Sequence, residues 1–235
     1  MCTLTWWRGE EGEFEVFFNR DEKKTRSRAE LPLKREENGM QFLSPRDPDG
    51  GGTWMLVNEH GVVLCLLNRW HEESKEAVEW ESRGRLVWDL AGVHSVEEVW
   101  RVLEEMNLRN RKPFSLWAFD AKTSLGMDWS TGKLSIAAEE MPITSSSYCY
   151  EEIVQSRKAC FAEMGPSDVD SLERFQGSEG VESSAETVRM CRPDAQTMSR
   201  SRVRVKGGEI WWEYLEEADD LSAPPARTVT SLKRA

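Results

Sequence analysis

The sequence predicts an α+β fold in which helices cover antiparallel sheets. Short strand-like runs occur as hairpin pairs, and paired helical segments separate them. The most apolar run, residues 62–67, is typical of a strand buried on both faces, so we expect it to be central. A chain of 235 residues with 39% hydrophobic side chains can bury a substantial core. We expect one domain over residues 1–215 and a disordered polar tail over residues 216–235.

The amino-acid composition excludes some classes of binding partner. Lys and Arg number 31 against 42 Asp and Glu, a net charge of −11 that disfavours nucleic acid as a partner. No apolar stretch approaches the roughly 20 residues that span a bilayer, so no integral membrane segment is expected. A secretory signal is not recognisable, which predicts a cytoplasmic protein. The five cysteines lack metal-ligand spacing and are expected to be free thiols.

Two hairpins are predicted in the first part of the chain. Residues 2–7 and 13–19 are short runs rich in aromatic and β-branched side chains, joined by a glycine-containing turn. Residues 53–58 and 61–68 form the second pair. Between the hairpins, residues 20–52 are charged and polar, and we interpret them as a long surface excursion with at most brief structure, of the kind that often lines a site.

Helices and further strands follow. Apolar residues fall at helical intervals over residues 71–91. Ser95, with Glu98 three residues later, is a typical N-cap for a second helix that extends to Leu108. The remaining predictions are strands at 114–120, 125–129 and 133–137, helices at 151–164 and 169–175, and strands at 187–191, 197–205 and 209–215.

Cys2 is the candidate nucleophile. Methionine aminopeptidase generally removes Met1 when a small side chain follows, which would leave a thiol and a free α-amine on one residue. The amine has a pKa of about 7.7–8.0 and the thiol one of about 8.5, so the amine can take the thiol proton at neutral pH. The alternative is that Cys2 is an incidental small residue.

Three further side chains could assist Cys2. The first hairpin brings Asn19-Arg20-Asp21-Glu22 back beside it. There Asp21 could accept a hydrogen bond from the thiol or amine, and Arg20 could orient Asp21 or bind a substrate anion. Asn68, at the end of the apolar strand, offers an amide donor for an oxyanion. The alternatives are a solvated charged loop and an ordinary turn asparagine.

Five short motifs occur together in this chain: Met1-Cys2, Asn19-Arg20-Asp21-Glu22, Gly51-Gly52-Thr53-Trp54, Asn68 at a strand end and Ser82-Arg83-Gly84-Arg85-Leu86-Val87. In these motifs the chain resembles the NRDE family, also called transport and Golgi organization 2-like proteins, and the similarity covers residues 1 to about 215. That family is in turn similar to N-terminal nucleophile hydrolases of the choloylglycine hydrolase and penicillin acylase type, which implies a four-layer αββα sandwich.

The resemblance implies roles for several residues. Cys2 would be the nucleophile, Asp21 its orienting carboxylate and Asn68 an oxyanion donor. Where the hydrolases have a further Asn before the third helix, this chain has serines, and Ser146 or Ser147 would replace it.

Of two arginine positions of the hydrolases, this chain matches one and departs from the other. An Arg near the end of the hydrolase fold matches Arg200. Choloylglycine-type enzymes place an Arg three residues before the Asp, whereas this chain has Phe18 there and Arg20 immediately before Asp21. This departure weakens the case for efficient amide hydrolysis.

Two functions therefore remain open. The first is a cysteine amidohydrolase or acyltransferase that acts on the C–N amide, or a thioester, of a small acyl compound without a cofactor. The second is a non-catalytic binding or trafficking protein for haem or another amphipathic ligand in the same cleft. His60 and His71 could be axial haem ligands under the second reading, or simply exposed turn histidines. The sequence leaves the oligomeric state open.

Overall fold

Two antiparallel sheets lie face to face in the computed structural model, which describes residues 1–72, 80–179 and 184–235 but not the side chain of His71. In spatial order, the six-stranded sheet contains β10 (Ile143–Ser145), β1 (Cys2–Arg8), β2 (Phe14–Lys23), β11 (Ala195–Lys206), β12 (Glu209–Glu216) and β13 (Ala226–Lys233). The seven-stranded sheet contains β3 (Glu30–Glu37), β4 (Met40–Arg46), β5 (Met55–Asn58), β6 (Val63–Asn68), β7 (Phe114–Phe119), β8 (Ser124–Ser130) and β9 (Lys133–Ile136).

Helices cover the outer faces of both sheets. They are α1 (Arg83–Asp89), α2 (Val96–Glu105), α3 (Tyr150–Met164) and α4 (Val169–Gln176). The first two pack on the seven-stranded sheet, and α4 packs on β1 and β2 of the other sheet. The predicted α+β class and the four-layer αββα order are confirmed.

The main core lies between the two sheets. Trp6 of β1 and Trp117 of β7 pack against each other across it, with ring centroids 4.9 Å apart and the ring planes tilted by 33°. Trp117 and Trp212 are fully buried. Large rings of this kind remove much apolar area from water and account for part of the high tryptophan content.

The first hairpin and the central strand are confirmed. Strand β1 pairs with β2 so that Cys2 lies opposite Arg20. Strand β6 is the fourth of seven strands and pairs with β5 and β7. Its five residues from Val63 to Leu67 are buried, as expected for a strand covered on both faces.

The predicted helix starts are partly confirmed. The Ser95 hydroxyl accepts a hydrogen bond from the Glu98 amide at 3.2 Å and caps α2, which ends at Glu105 rather than Leu108. Over residues 71–91, the described part contains a 3-10 turn at Trp70–Glu72 and the short helix α1. Residues 73–79 of that predicted helix lie outside the described residues.

The predicted excursion over residues 20–52 is wrong, because it contains the hairpin β3–β4. Glu37 pairs with Met40 around the two-residue turn Asn38-Gly39. Both turn residues have positive φ, 52° and 79°. Asn-Gly is the usual signal for this turn, and the charged exposed face of β3 obscured it.

Three other expectations differ from the structure. Residues 187–191 form no extended strand and contribute only an isolated bridge from Cys191 to Gln196. Strand β10 was not predicted. The tail, expected to be disordered, contains β13, which pairs with β12 along its whole length. The side chains of β13 are mostly polar and give no apolar pattern that would predict a strand. The strand forms because an edge strand is stabilised by backbone hydrogen bonds to its neighbour.

None of the helices within the described ranges combines the length and apolar character that crossing a membrane requires.

Candidate functional site

A cavity of about 510 Å³ opens where the start of β1 meets the end of β6. Strands β1 and β2 place Cys2 and Arg20 in its wall, and Trp54 precedes β5. Asn68 ends β6, so one cavity joins elements of both sheets.

Cys2 is the first residue of β1 and is half-buried against the core between the sheets. The Met1 amine donates to the Asp21 carbonyl at 3.1 Å, and the Asp21 amide donates to the Met1 carbonyl at 2.9 Å. These bonds hold the N-terminal residue against β2. The predicted proximity of Cys2 to the Asn19-Arg20-Asp21-Glu22 quartet is therefore observed.

The electrostatics around the Cys2 thiol favour its neutral form. Burial raises the pKa of the thiol, whereas the N-terminal ammonium and Arg20 act in the opposite direction. Because the net pKa shift is upward, the thiol needs a nearby base to become a thiolate at neutral pH.

Asp21 contacts the N-terminal residue through its backbone, and its carboxylate bonds elsewhere. Arg157 donates to one carboxylate oxygen at 3.1 Å, and the Thr197 hydroxyl donates to the other at 2.7 Å. Arg157 also donates to the Thr3 hydroxyl. The carboxylate thus ties β1, β2, β11 and α3 together beneath Cys2.

Arg157 was missed by sequence reasoning. Its side chain is fully buried, although it lies on a mostly polar helix. The available signal was its position one turn after Ile153, which is the other buried residue of α3. Arginine on the inward stripe of a helix indicates a buried acidic partner.

Arg20 does not orient Asp21. Its guanidinium lies over the Trp54 ring at 4.3 Å from the ring centroid and lines the cavity. Its acidic neighbours are Glu22 at 3.5 Å and Asp47 at 3.9 Å.

The serine positions lie beside the N-terminus. The Ser146 hydroxyl donates to the Tyr148 carbonyl, accepts from the Tyr148 amide at 3.0 Å and lies 2.9 Å from the Met1 sulfur. Ser147 lines the cavity. Since Cys2 also pairs with Ser145 of β10, this serine segment forms one side of the site.

Arg200 is not brought to Cys2. It lies opposite Asn19 on β2, whereas the neighbouring Ser199 lies opposite Arg20. The Arg200 Nε donates to the buried carboxylate of Glu217 at 2.6 Å. Successive residues of a strand point to opposite faces, so Arg200 is on the helix-covered face.

Neither His60 nor His94, the two histidines whose side chains the structure describes, lines the cavity. His60 precedes β6, at the end opposite Asn68, and stacks on His94 with ring centroids 4.1 Å apart. The side chain of His71 lies outside the described part of the structure.

Solved structures support the fold. Two crystal structures of single-residue variants of the conjugated bile acid hydrolase from Clostridium perfringens, one cysteine-to-alanine and one arginine-to-leucine, align with TM-scores of 0.55 and 0.57. Each is 13% identical and covers 99% of this chain and 92% of the bile acid hydrolase chain. At this identity the likeness establishes an N-terminal nucleophile hydrolase-like fold.

Comparison with curated proteins gives no match. A family model described as Transport and Golgi organisation 2 matches residues 1–162, more than half of the chain. That region contains Cys2, Arg20, Asp21 and Asn68. The chain belongs to the Transport and Golgi organisation 2 family, which is the NRDE family.

Proposed function

We propose that this protein is an N-terminal nucleophile amidohydrolase or acyltransferase that uses Cys2 to attack the C–N amide, or a thioester, of a small acyl compound. The observation that carries the proposal is the position of Cys2 at the start of β1. There it lines a 510 Å³ cavity, and the residue before it is bonded to Asp21. The hydrolase-like fold supports the proposal.

The reaction begins after removal of Met1, when the α-amine belongs to Cys2. This amine takes the thiol proton, and the thiolate sulfur bonds to the substrate carbonyl carbon. The Asn68 amide donates to the oxygen that gains negative charge. The protonated amine then gives its proton to the leaving nitrogen as the C–N bond breaks. Water releases the acyl group from the resulting thioester, and the amine accepts and returns the proton.

Other residues position this machinery. Asp21, held by Arg157 and Thr197, fixes the segment of β2 that bonds to the N-terminal residue. Of the two serines that could supply a second donor to the oxyanion, Ser147 lines the cavity, whereas the Ser146 hydroxyl donates to the Tyr148 carbonyl.

The test combines intact mass with thiol labelling. We expect Met1 to be absent from the purified protein and a limiting dose of iodoacetamide near pH 7 to label Cys2 before the other four cysteines. Cys2→Ala should remove turnover of the amides and thioesters that the wild type cleaves, and Cys149→Ala, at an exposed cysteine, should not. Retained Met1, or full turnover by Cys2→Ala, would refute the mechanism.

Non-catalytic binding of haem or another amphipathic ligand is the second candidate. The observation that favours it is the presence of Trp54 and Trp70 in the cavity wall. This function predicts that Cys2→Ser leaves ligand affinity unchanged and that retention of Met1 is tolerated. A large loss of haem affinity on Trp54→Ala, with no amide or thioester turnover by the wild type, would favour it over catalysis.

A further inference from the structure

We infer that the cavity selects an anionic acyl compound and that Arg20 binds its acid group, a carboxylate or a phosphate, beside the bond that Cys2 attacks. This inference rests on the proposed function for the role of Cys2. The observations behind it concern Arg20 and the cavity wall.

Arg20 is placed next to the reacting group by the sheet itself. Cys2 and Arg20 are directly opposite each other in the β1–β2 register. Opposed residues share one face of an antiparallel pair, with Cβ atoms about 4.5–5.5 Å apart. Both residues line the cavity. An acid group held by Arg20 would therefore lie close to a carbonyl at the Cys2 sulfur.

The ion pairs that Arg20 makes with the described residues are long. Its side chain is only 7% exposed, yet its contacts with Glu22 and Asp47 are 3.5 and 3.9 Å long. Arg26 competes for both acids, with distances of 3.4 Å to Glu22 and 2.6 Å to Asp47. A guanidinium has five N–H donors, and a buried cation is costly unless close acceptors satisfy it.

Trp54 holds the Arg20 guanidinium beside the cavity. The guanidinium carbon lies over the Trp54 ring, 4.3 Å from the ring centroid, a distance typical of a cation–π contact. This contact with the ring uses none of the N–H donors of Arg20 in a hydrogen bond to an acceptor oxygen. A planar fork held in one orientation matches the two oxygens of a carboxylate or phosphate.

The charges of the other residues that line the cavity favour a negatively charged ligand. Although the protein has a net charge of −11, the described residues that line the cavity include six basic and four acidic side chains. Pairing occurs on both sides of this count, because Asp21 is paired with Arg157, Arg26 with Asp47 and Arg192 with Asp194. A local excess of basic groups within an acidic protein concentrates anions at that site.

The experiment compares two thiol reagents of similar shape, the anionic iodoacetate and the neutral iodoacetamide. For each protein, the iodoacetate rate at Cys2 is divided by the iodoacetamide rate and normalised to the same ratio for N-acetylcysteine. The wild type should give a ratio above one. Arg20→Gln should lower it by at least about tenfold, since hydrogen bonds to charged groups contribute about 1.5–3 kcal/mol. Arg227→Gln removes the same charge at an exposed site on β13 and should leave the ratio unchanged.

A second variant shows whether a lower ratio in Arg20→Gln comes from the lost side chain or from misfolding. Arg20→Lys keeps the charge but loses the planar fork, so its ratio should fall between those of the wild type and Arg20→Gln. A wild-type ratio of one or below, or equal ratios in the wild type and both Arg20 variants, would overturn the inference while leaving the role of Cys2 intact.

A binding measurement separates the two proposals. If neither reagent labels Cys2, the proposed function fails, and thermal stabilisation of Cys2→Ser then decides the inference. At equal ionic strength, succinate or inorganic phosphate should raise its melting temperature more than neutral succinamide does, and Arg20→Gln should abolish that difference. A larger rise in melting temperature with succinate than with phosphate indicates a carboxylate ligand, and the reverse order indicates a phosphate ligand. Equal effects of all three compounds would overturn the inference.

Discussion

The guanidinium of Arg157 on α3 donates to the carboxylate of Asp21 on β2 at 3.1 Å, with both side chains fully buried. This contact joins the outer helix layer to the strand that bonds to the N-terminal residue. It lies directly beneath the proposed nucleophile, because the same guanidinium also reaches Thr3 of β1.

Breaking this pair should be strongly destabilising. Asp21→Asn or Arg157→Met leaves one buried group without its counter-charge, and we expect each to lower the free energy of unfolding by about 3–5 kcal/mol. Urea denaturation measures the change. Joint replacement, Asp21→Leu with Arg157→Met, should recover part of the loss. The control is Arg227→Met, which breaks an exposed pair with Glu213 and should cost at most about 1 kcal/mol. Equal small losses at both sites would contradict this account.

Arg200 should contribute to stability rather than to chemistry at Cys2. It shares the buried Glu217 carboxylate with Arg189, each at 2.6 Å. Arg200→Met should cost about 1.5–3 kcal/mol, the range for a hydrogen bond to a charged group, and should leave the labelling rate of Cys2 unchanged. Denaturation and labelling are measured on the same sample. A large fall in labelling without loss of stability would place Arg200 in the reaction after all.

Gly52 allows a close approach of two backbone segments in the cavity wall. A Cβ built at Gly52 would lie 2.3 Å from the backbone carbon of Gly84, and the Thr53 amide donates to the Gly84 carbonyl at 3.1 Å. Gly52→Ala should therefore displace the start of α1 and destabilise the fold by about 1–3 kcal/mol.

Gly92 is the matched control for this substitution. A Cβ at Gly92 meets nothing within 4 Å, so Gly92→Ala should be neutral or slightly stabilising in thermal denaturation. If both alanine variants melt at the wild-type temperature, the two backbone segments are not held as closely as described.

His60 should make stability fall in mild acid. Burial, and then the neighbouring His94, lower the pKa of His60, while Glu59 and Glu98 oppose the shift. The folded state therefore binds a proton at His60 less readily than the unfolded chain, whose histidine pKa is about 6.5. Stability contributed by His60 is complete above that pH and is lost as the pH falls below it.

Urea denaturation between pH 7.5 and 5.5 tests this sign. The wild type should lose stability across that interval, and His60→Gln should lose less. His94→Gln removes the stacked neighbour and should also reduce the slope. An identical slope in the wild type and His60→Gln would show that other groups set the acid sensitivity.

Local sequence patterns predicted the parts of the fold that short segments encode. The continuous apolar run of residues 62–67, the Ser95 cap and the first hairpin all appear as expected, because strand-forming runs and caps depend on neighbours within a few residues. The same hairpin placed Cys2 beside Arg20 and Asp21. The cavity that Cys2 shares with Asn68 followed from the resemblance and from the central position of β6.

By itself, then, the sequence determined the first hairpin, the central strand and the identity of the candidate nucleophile. Only the tertiary structure decided that Arg157 holds Asp21, 136 positions away, that Arg20 faces the cavity and that Arg200 faces the helices. Only pairing with neighbours revealed β10 and β13 as strands. The physical reason is that a buried charge takes its partner, and an edge strand its hydrogen bonds, from whichever distant segment the chain path brings alongside.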